Sequence, residues 1–214
     1  MAVPKGCLIT LEGSDGSGKT THLNLLETRL NDRGISVITT REPGGTQLGE
    51  ALRDLLLQGE FECNAETETL ILFAARAHNL DTVIRPAIEL GKWVICDRFT
   101  DATFAYQGGG GGLDFQRISQ LEMFVQQGIQ PDLTLLLDLP IDQGLARTVQ
   151  RGGYLDRFEK QDIAFKERVR QAYLTRQSNH PARIRLIDAS ETVDRVHKSI
   201  WKHINLLIQK DQTA

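Results

Sequence analysis

The run from Gly13 to Thr20, GSDGSGKT, fits GxxxxGK[ST] and lies between an apolar segment, Cys7 to Glu12, and a helical pattern that opens at about Gly18. No other feature constrains the fold as much. Glycines at such a turn let successive backbone N–H groups point inward at phosphate oxygens, and the N-terminus of the following helix adds a favourable dipole. Strand, phosphate loop and helix in that order open a parallel α/β sheet. Gly13, Ser14, Asp15, Gly16, Ser17, Gly18, Lys19, Thr20 and Thr21 are therefore expected to line a nucleoside triphosphate. Lys19 would bridge its β- and γ-phosphates, and the Thr20 hydroxyl would sit on Mg²⁺. Asp15 is the odd member, because a carboxylate beside a polyphosphate is repelled unless it faces something else. A sugar hydroxyl or a metal-bound water would suit it; otherwise it only steadies the turn or the helix N-terminus.

Apolar strand-like runs alternate with long helical patterns through the rest of the chain, which predicts βα units around a parallel sheet. Strands are expected at Cys7 to Glu12, Ile35 to Thr40, Trp93 to Asp97, Leu133 to Asp138 and Ile184 to Ile187. Helices are expected at about 18–32, 46–58, 67–90, 114–127, 141–150, 160–178 and 192–209. At 214 residues one domain, 1–214, is the economical organisation. The polar, glycine-containing stretch RGGYLDRFE, inside about 150–159, has the composition of a lid. The glycine run Gly108 to Gly112 is either a mobile loop or a loop packed near a ligand.

Ligands of open α/β sheets bind beyond the carboxyl ends of the strands. Asp97 and Arg98 follow WVIC directly, so Asp97 is placed to hold Mg²⁺ through water and Arg98 to grip a second phosphate bidentately. The alternative is a surface ion pair of little energetic weight. REPGGT, Arg41 to Thr46, places a second charged turn after another strand. Two phosphate-gripping regions at one sheet edge suggest a donor and an acceptor that both carry phosphate.

With GSDGSGKT, TREPGGTQLGEALR, LILFAAR, DRFTDATFAYQGGG and LDRFE in this order, the chain closely resembles bacterial thymidylate kinases from Ile9 to about Ile187. The resemblance implies the P-loop nucleoside monophosphate kinase fold, a five-stranded parallel sheet flanked by helices with a small lid. It also implies the reaction ATP + dTMP giving ADP + dTDP with Mg²⁺, and a homodimer. Carried over position by position, it implies that Asp15 meets the 3′-hydroxyl of dTMP, that Arg98 binds the dTMP phosphate, and that Phe73 stacks on thymine. Similar proteins often separate this Phe from the following Arg by four residues where Phe73 and Arg76 are three apart, so either Phe73 or Leu72 takes the stacking position. Arg76 would donate to a thymine carbonyl. Thr103 and Gln107 would present one face to the base edge, Tyr106 would crowd the 2′ position, and Glu42 and Arg53 would serve acceptor-phosphate and metal-water contacts. A catalytic arginine lies in this family either after the acidic residue of the P-loop or in the lid. Gly16 occupies the first place, so the lid would supply it, Arg151 first and Arg157 next, with Arg147 packed against adenine. Similar proteins often carry an arginine within the glycine run, where this chain has Gly111.

Composition adds exclusions. A net charge of −3 argues against a broad nucleic-acid-binding surface. Three cysteines without CxxC spacing suggest neither a disulfide framework nor a zinc site. No apolar run approaches the roughly 18 residues of a membrane span, and MAVPKGCLITLEG is unlike a signal peptide, so a cytoplasmic location is the default expectation. No NKxD guanine-reading motif is present, which disfavours a GTP-dependent switch.

Overall fold

The structure is a computed structural model and describes residues 6–58, 63–152 and 155–213. Five parallel strands, β1 (Cys7–Glu12), β2 (Val37–Arg41), β3 (Trp93–Asp97), β4 (Leu133–Asp138) and β5 (Ile184–Asp188), form one sheet in the order β2-β3-β1-β4-β5. Burial on both faces explains why the inner strands CLITLE, WVICD and LTLLLD are nearly uninterrupted apolar runs, whereas the edge strands VITTR and IRLID are more polar and only partly buried. Successive residues of β1 point to opposite sides. Cys7, Ile9 and Leu11 meet Leu23, Leu26 and Leu30 of α1 (Lys19–Asn31) and Val196, Ile200 and Trp201 of α9 (Val193–Thr213). Leu8 turns the other way, to Leu80, Ile84, Ala87 and Phe99.

β1 is central, flanked by β3 (Ile9 opposite Ile95) and β4 (Ile9 opposite Leu133). The chain crosses from one half of the sheet to the other beside it, which makes the carboxyl end of β1 the switch point of an open α/β sheet. Glu12, Glu42 and Asp97 emerge along this one edge, where Glu42 N–H donates to Asp97 O at 3.0 Å and Arg98 N–H to Leu11 O at 2.9 Å.

The helix expected at 67–90 is three pieces: α3 (Ala65–Asn79), a π-helical turn (Leu80–Ile84) and α4 (Arg85–Glu89). Pro86 has no N–H for an i→i−4 bond, so the ladder changes register just ahead of it. α2 (Gln47–Leu57) and α3 begin on side-chain caps, with Thr46 accepting from Gly49 N–H and Asn64 from Thr67 N–H. After α5 (Thr100–Thr103) the chain makes a second π-helical segment, Phe104–Gly110, and then α6 (Phe115–Gln126), α7 (Ile141–Arg151) and α8 (Ile163–Asn179).

The glycine run is neither of the loops expected. A Cβ on Gly109 would lie 2.4 Å from Ala172 Cβ, and one on Gly110 2.5 Å from Phe165 Cζ, so these glycines let the π segment lie directly on α8. Asp101 anchors the same region. Buried in α5, it accepts from Arg176 Nε at 2.9 Å and Arg183 Nη1 at 2.7 Å. In the expected lid, Gly153 and Tyr154 fall outside the described residues.

Candidate active site

Gly13, Gly16 and Gly18 have φ of 138°, 77° and 89°, the left-handed region that side chains resist, and they bend the backbone from β1 into α1. Lys19 Nζ lies inside this bend and donates to Gly13 O at 3.1 Å and Ser14 O at 3.0 Å. Burial, reinforced by the Arg98 charge, pulls the Lys19 pKa down to about 8. Thr20 Oγ1 donates to Asp97 Oδ2 at 3.4 Å. Asp97 Oδ1 is buried and has no hydrogen-bond partner among the described residues. An orphaned carboxylate oxygen beside a threonine hydroxyl is the hard oxygen-donor chemistry that suits Mg²⁺.

Arg98 stands directly after β3 with φ 68°, a strained value for a residue with a side chain. Three hydrogen bonds hold the turn: its own N–H to Leu11 O, Cys96 Sγ to Arg98 O at 2.9 Å, and Phe99 N–H to Glu12 Oε1 at 2.7 Å. The guanidinium is caged. Nη1 donates to Gly13 O at 2.9 Å and Tyr173 Oη at 3.2 Å; Nη2 donates to Asp15 Oδ1 at 2.7 Å and Tyr106 Oη at 3.0 Å. For Asp15, burial alone would raise the pKa, but the Arg98 and Lys19 charges outweigh it and hold the carboxyl below its ordinary range. The alternative of a surface ion pair between Asp97 and Arg98 is not what the structure holds, since Arg98 pairs with Asp15 across the sheet edge.

Glu12 and Tyr173 belong to this cage and were not singled out by the sequence. Tyr173, on α8, donates to Glu12 Oε2 at 2.8 Å. Burial and the neighbouring Asp101 charge push the Glu12 carboxyl up to about 8, against the Arg98 charge and its two hydrogen bonds. The only sequence hint was an acidic residue ending an otherwise apolar strand.

A cavity opens beside Arg98, walled by Asp15, Glu42, Arg53, Leu72, Arg76, Thr103, Tyr106, Gln107 and, from the lid, Asp156 and Phe158. It gathers residues from five separate segments that the sequence had named one by one. Thr103 and Gln107 do share a wall, although the π segment and not an α-helix carries Gln107. Arg76 is fully buried. Its Nε donates to Glu42 Oε2 at 2.7 Å and its Nη2 to Thr103 Oγ1 at 3.1 Å, while Nη1 has no partner among the described residues. Gln107 Nε2 donates to Glu68 Oε2 at 3.0 Å, and its Oε1 is likewise buried without a partner.

Phe73 is not on the cavity wall. It is 2% exposed in an apolar cluster with Phe104 and Ile118, with the Arg76 guanidinium 4.6 Å over its ring, and Leu72 takes the wall position instead. The three-residue spacing to Arg76 turns Phe73 into the core, where an aromatic ring buries more apolar area than a leucine. Glu42 turns its carboxylate to Arg76 and Asn79, so it orients a cavity wall from below. Arg53 Nη1 donates to Pro43 O at 2.9 Å. Burial lowers its pKa, and the Arg41 and Arg98 charges add to the effect.

A larger cavity runs from the P-loop, with Gly16, Ser17, Lys19, Thr20 and Thr21 on its wall, past Arg147 and Arg151 to Ala189, Thr192 and Val196. Arg147 Nη1 donates to Ala189 O at 3.0 Å and reaches Gly16 O at 3.5 Å. Arg151, at the end of α7, donates to Glu159 Oε1 at 2.6 Å and remains largely exposed. Arg157 does not face this cavity; it is bonded to Glu68 and to Cys63 O. Of the two arginines in the expected lid segment, Arg151 is thus the one on the P-loop side. Phe158, in the segment expected to be a lid, packs edge-on against Tyr106, ring centres 5.6 Å apart, beside the smaller cavity.

Comparison with known proteins bears on the family and the fold. The thymidylate kinase family model matches residues 11–200. A thymidylate kinase of Nitrosospira multiformis is 55% identical over 200 residues, covering 94% of this chain and 97% of that one. One from Pseudomonas putida is 54% identical over 196 residues, covering 91% and 93%. The crystal structure of thymidylate kinase from Ehrlichia chaffeensis superposes with a TM-score of 0.78 at 34% identity, over 94% of this chain and 99% of that one. Phosphate loop, caged arginine, five-stranded sheet and these relationships converge: the chain belongs to the thymidylate kinase family.

Proposed function

We propose that this chain transfers the γ-phosphoryl group of ATP to dTMP, giving ADP and dTDP on the route to dTTP. Beyond family membership, one observation carries the choice of acceptor. Among the described residues, two buried polar atoms of the smaller cavity's lining residues are left unpaired, a donor, Arg76 Nη1, and an acceptor, Gln107 Oε1. Thymine offers their complements, a carbonyl at C4 and an N–H at N3. Leu72 gives the ring an apolar wall, and the dTMP phosphate lies toward Arg98 and Arg53. Asp15 accepts from the 3′-hydroxyl, and Tyr106 fills the space a 2′-hydroxyl would need.

ATP occupies the larger cavity, its phosphates on the P-loop N–H groups and Lys19 and its adenine against Arg147. Mg²⁺, which Asp97 and Thr20 would hold through their oxygen donors, would supply charge neutralisation for the triphosphate when bound. An oxygen of the dTMP phosphate, already anionic at neutral pH, forms the new bond to the γ-phosphorus. The bond from that phosphorus to the bridging oxygen breaks, and ADP departs with the electron pair. No general base is required. Lys19 and Arg98 hold the reactants in line, and Arg151, released from Glu159, neutralises charge on the transferring group. We take residues 1–214 to act as one domain in a cytoplasmic homodimer, a reading supported by the family resemblance and by Met123 and Phe124 exposed together on α6.

A coupled ADP-release assay with dTMP, UMP and AMP tests the acceptor. A clear preference for dTMP is expected; equal rates for the three would refute it.

A further inference from the structure

Gln107 lines the acceptor cavity with its carbonyl oxygen buried and unpaired among the described residues, and the reason lies on the far side of its carboxamide. Nε2 donates to Glu68 Oε2 at 3.0 Å. An ionised carboxylate only accepts, so the half of the amide facing it must be the NH₂ group, and the carbonyl must face the other way. Glu68 is 5% exposed in the first turn of α3, and its other oxygen accepts from Arg157 of the lid, which balances its charge. It touches no wall of the cavity itself.

We propose that Glu68 is a specificity-determining positioning residue: by accepting from Gln107 Nε2 it keeps the Gln107 carbonyl oxygen toward the acceptor base. The site then favours a base that presents an N–H at that place over one that presents a lone pair. This rests on the placement of the base proposed above. Thymine matches both Gln107 Oε1 and Arg76 Nη1, whereas cytosine, with a lone pair at N3 and an amino group at C4, mismatches both. Glu68 governs one of the two contacts, so its loss weakens the preference without abolishing it. A glutamine at position 68 can donate, which lets the Gln107 amide turn over and offer its NH₂ group to the cavity.

The test measures kcat/KM for dTMP and dCMP in Glu68→Gln, Gln107→Leu and Arg157→Met, with a thermal melt of each protein. For Glu68→Gln the dTMP:dCMP ratio should fall about tenfold or more, the effect of one misdirected buried hydrogen bond. Gln107→Leu should lower it comparably, and Arg157→Met should slow both substrates alike. A merely structural Glu68 would depress both substrates together and leave the ratio in place. If Gln107→Leu moves the ratio and Glu68→Gln does not, the role of Glu68 is overturned while the base placement stands. If neither moves it, the base placement falls and the inference with it. A ratio that shifts as far with Arg157→Met overturns the assignment too, because the lid would then set the preference. Should Glu68→Gln not fold, Glu68→Ala carries the same expectation.

Discussion

Replacing Tyr173 by phenylalanine removes a single oxygen from the cage around Arg98 and leaves the ring packed against Leu136, Val169 and Ala172. Nearly all of the effect is therefore polar. Glu12 Oε2 loses its hydrogen bond from Tyr173 and keeps only the Phe99 N–H on its other oxygen. Leaving a buried polar atom unsatisfied costs about 1–3 kcal/mol. The lower part of that range applies, because a carboxyl already pushed up to about 8 meets the loss by holding a proton rather than by remaining a bare charge. About 1–2 kcal/mol lowers Tm by roughly 2–8 °C for a domain of this size. Arg98 retains Gly13 O, Asp15 and Tyr106, three of its four partners, so KM for dTMP should rise by less than about tenfold. Urea or thermal unfolding beside steady-state kinetics measures both. An unchanged Tm, or an activity loss of more than a hundredfold in a fully stable protein, would refute the view that Tyr173 supports the cage from behind.

Arg151→Met should reduce kcat about a hundredfold or more with little change in KM for dTMP, as expected of a charge that acts on the transferring group; a pure KM effect in steady-state kinetics would contradict that role. Lys19 has a folded-state pKa near 8 against 10.5, so folding disfavours its charged form. Its contribution to stability in the nucleotide-free chain is least favourable below about pH 8 and recovers as pH rises toward 10.5. ATP needs the charged form, so KM for ATP should climb above about pH 8; a flat profile from pH 7 to 9.5 would show the lysine unperturbed. Gly109→Ala forces a Cβ against Ala172 and should cost about 1–3 kcal/mol in a urea melt, while a silent substitution would mean that the π segment can lift off α8.

The sheet and the phosphate loop were legible because both depend on local pattern. Apolar runs of buried strand length and a glycine-rich turn before a helix announce themselves within 20 residues. Asp97 and Arg98 were legible for a related reason, as charges placed directly after such a run. What escaped was set by packing between distant segments. Tyr173 meets Glu12 across 161 positions, and Gln107 meets Glu68 across 39. A tyrosine or glutamate within a helical pattern gives no sign of such a partner. The π-helical turns stayed hidden because a shift of one residue in hydrogen-bond register hardly disturbs apolar periodicity, and the choice between Phe73 and Leu72 stayed open because one helical position separates a cavity wall from the core. The glycine run looked like a loop since composition cannot tell freedom to move from closeness of approach.

The pairing of Arg98 with Asp15 bears on which anions this protein leaves alone. A bare guanidinium pocket would collect inorganic phosphate or any other small oxyanion in its surroundings. Here the cation already holds a counter-ion 2.7 Å away, and an incoming phosphate that takes hold of Arg98 leaves the Asp15 carboxylate poorly satisfied. A ligand that brings a phosphate for the arginine and, some ångströms away, a hydroxyl for the aspartate meets both halves at once. On the dTMP placement proposed above, the Arg98–Asp15 pair would act as a two-part check on its guest, and inorganic phosphate is expected to compete poorly with dTMP in the same assay.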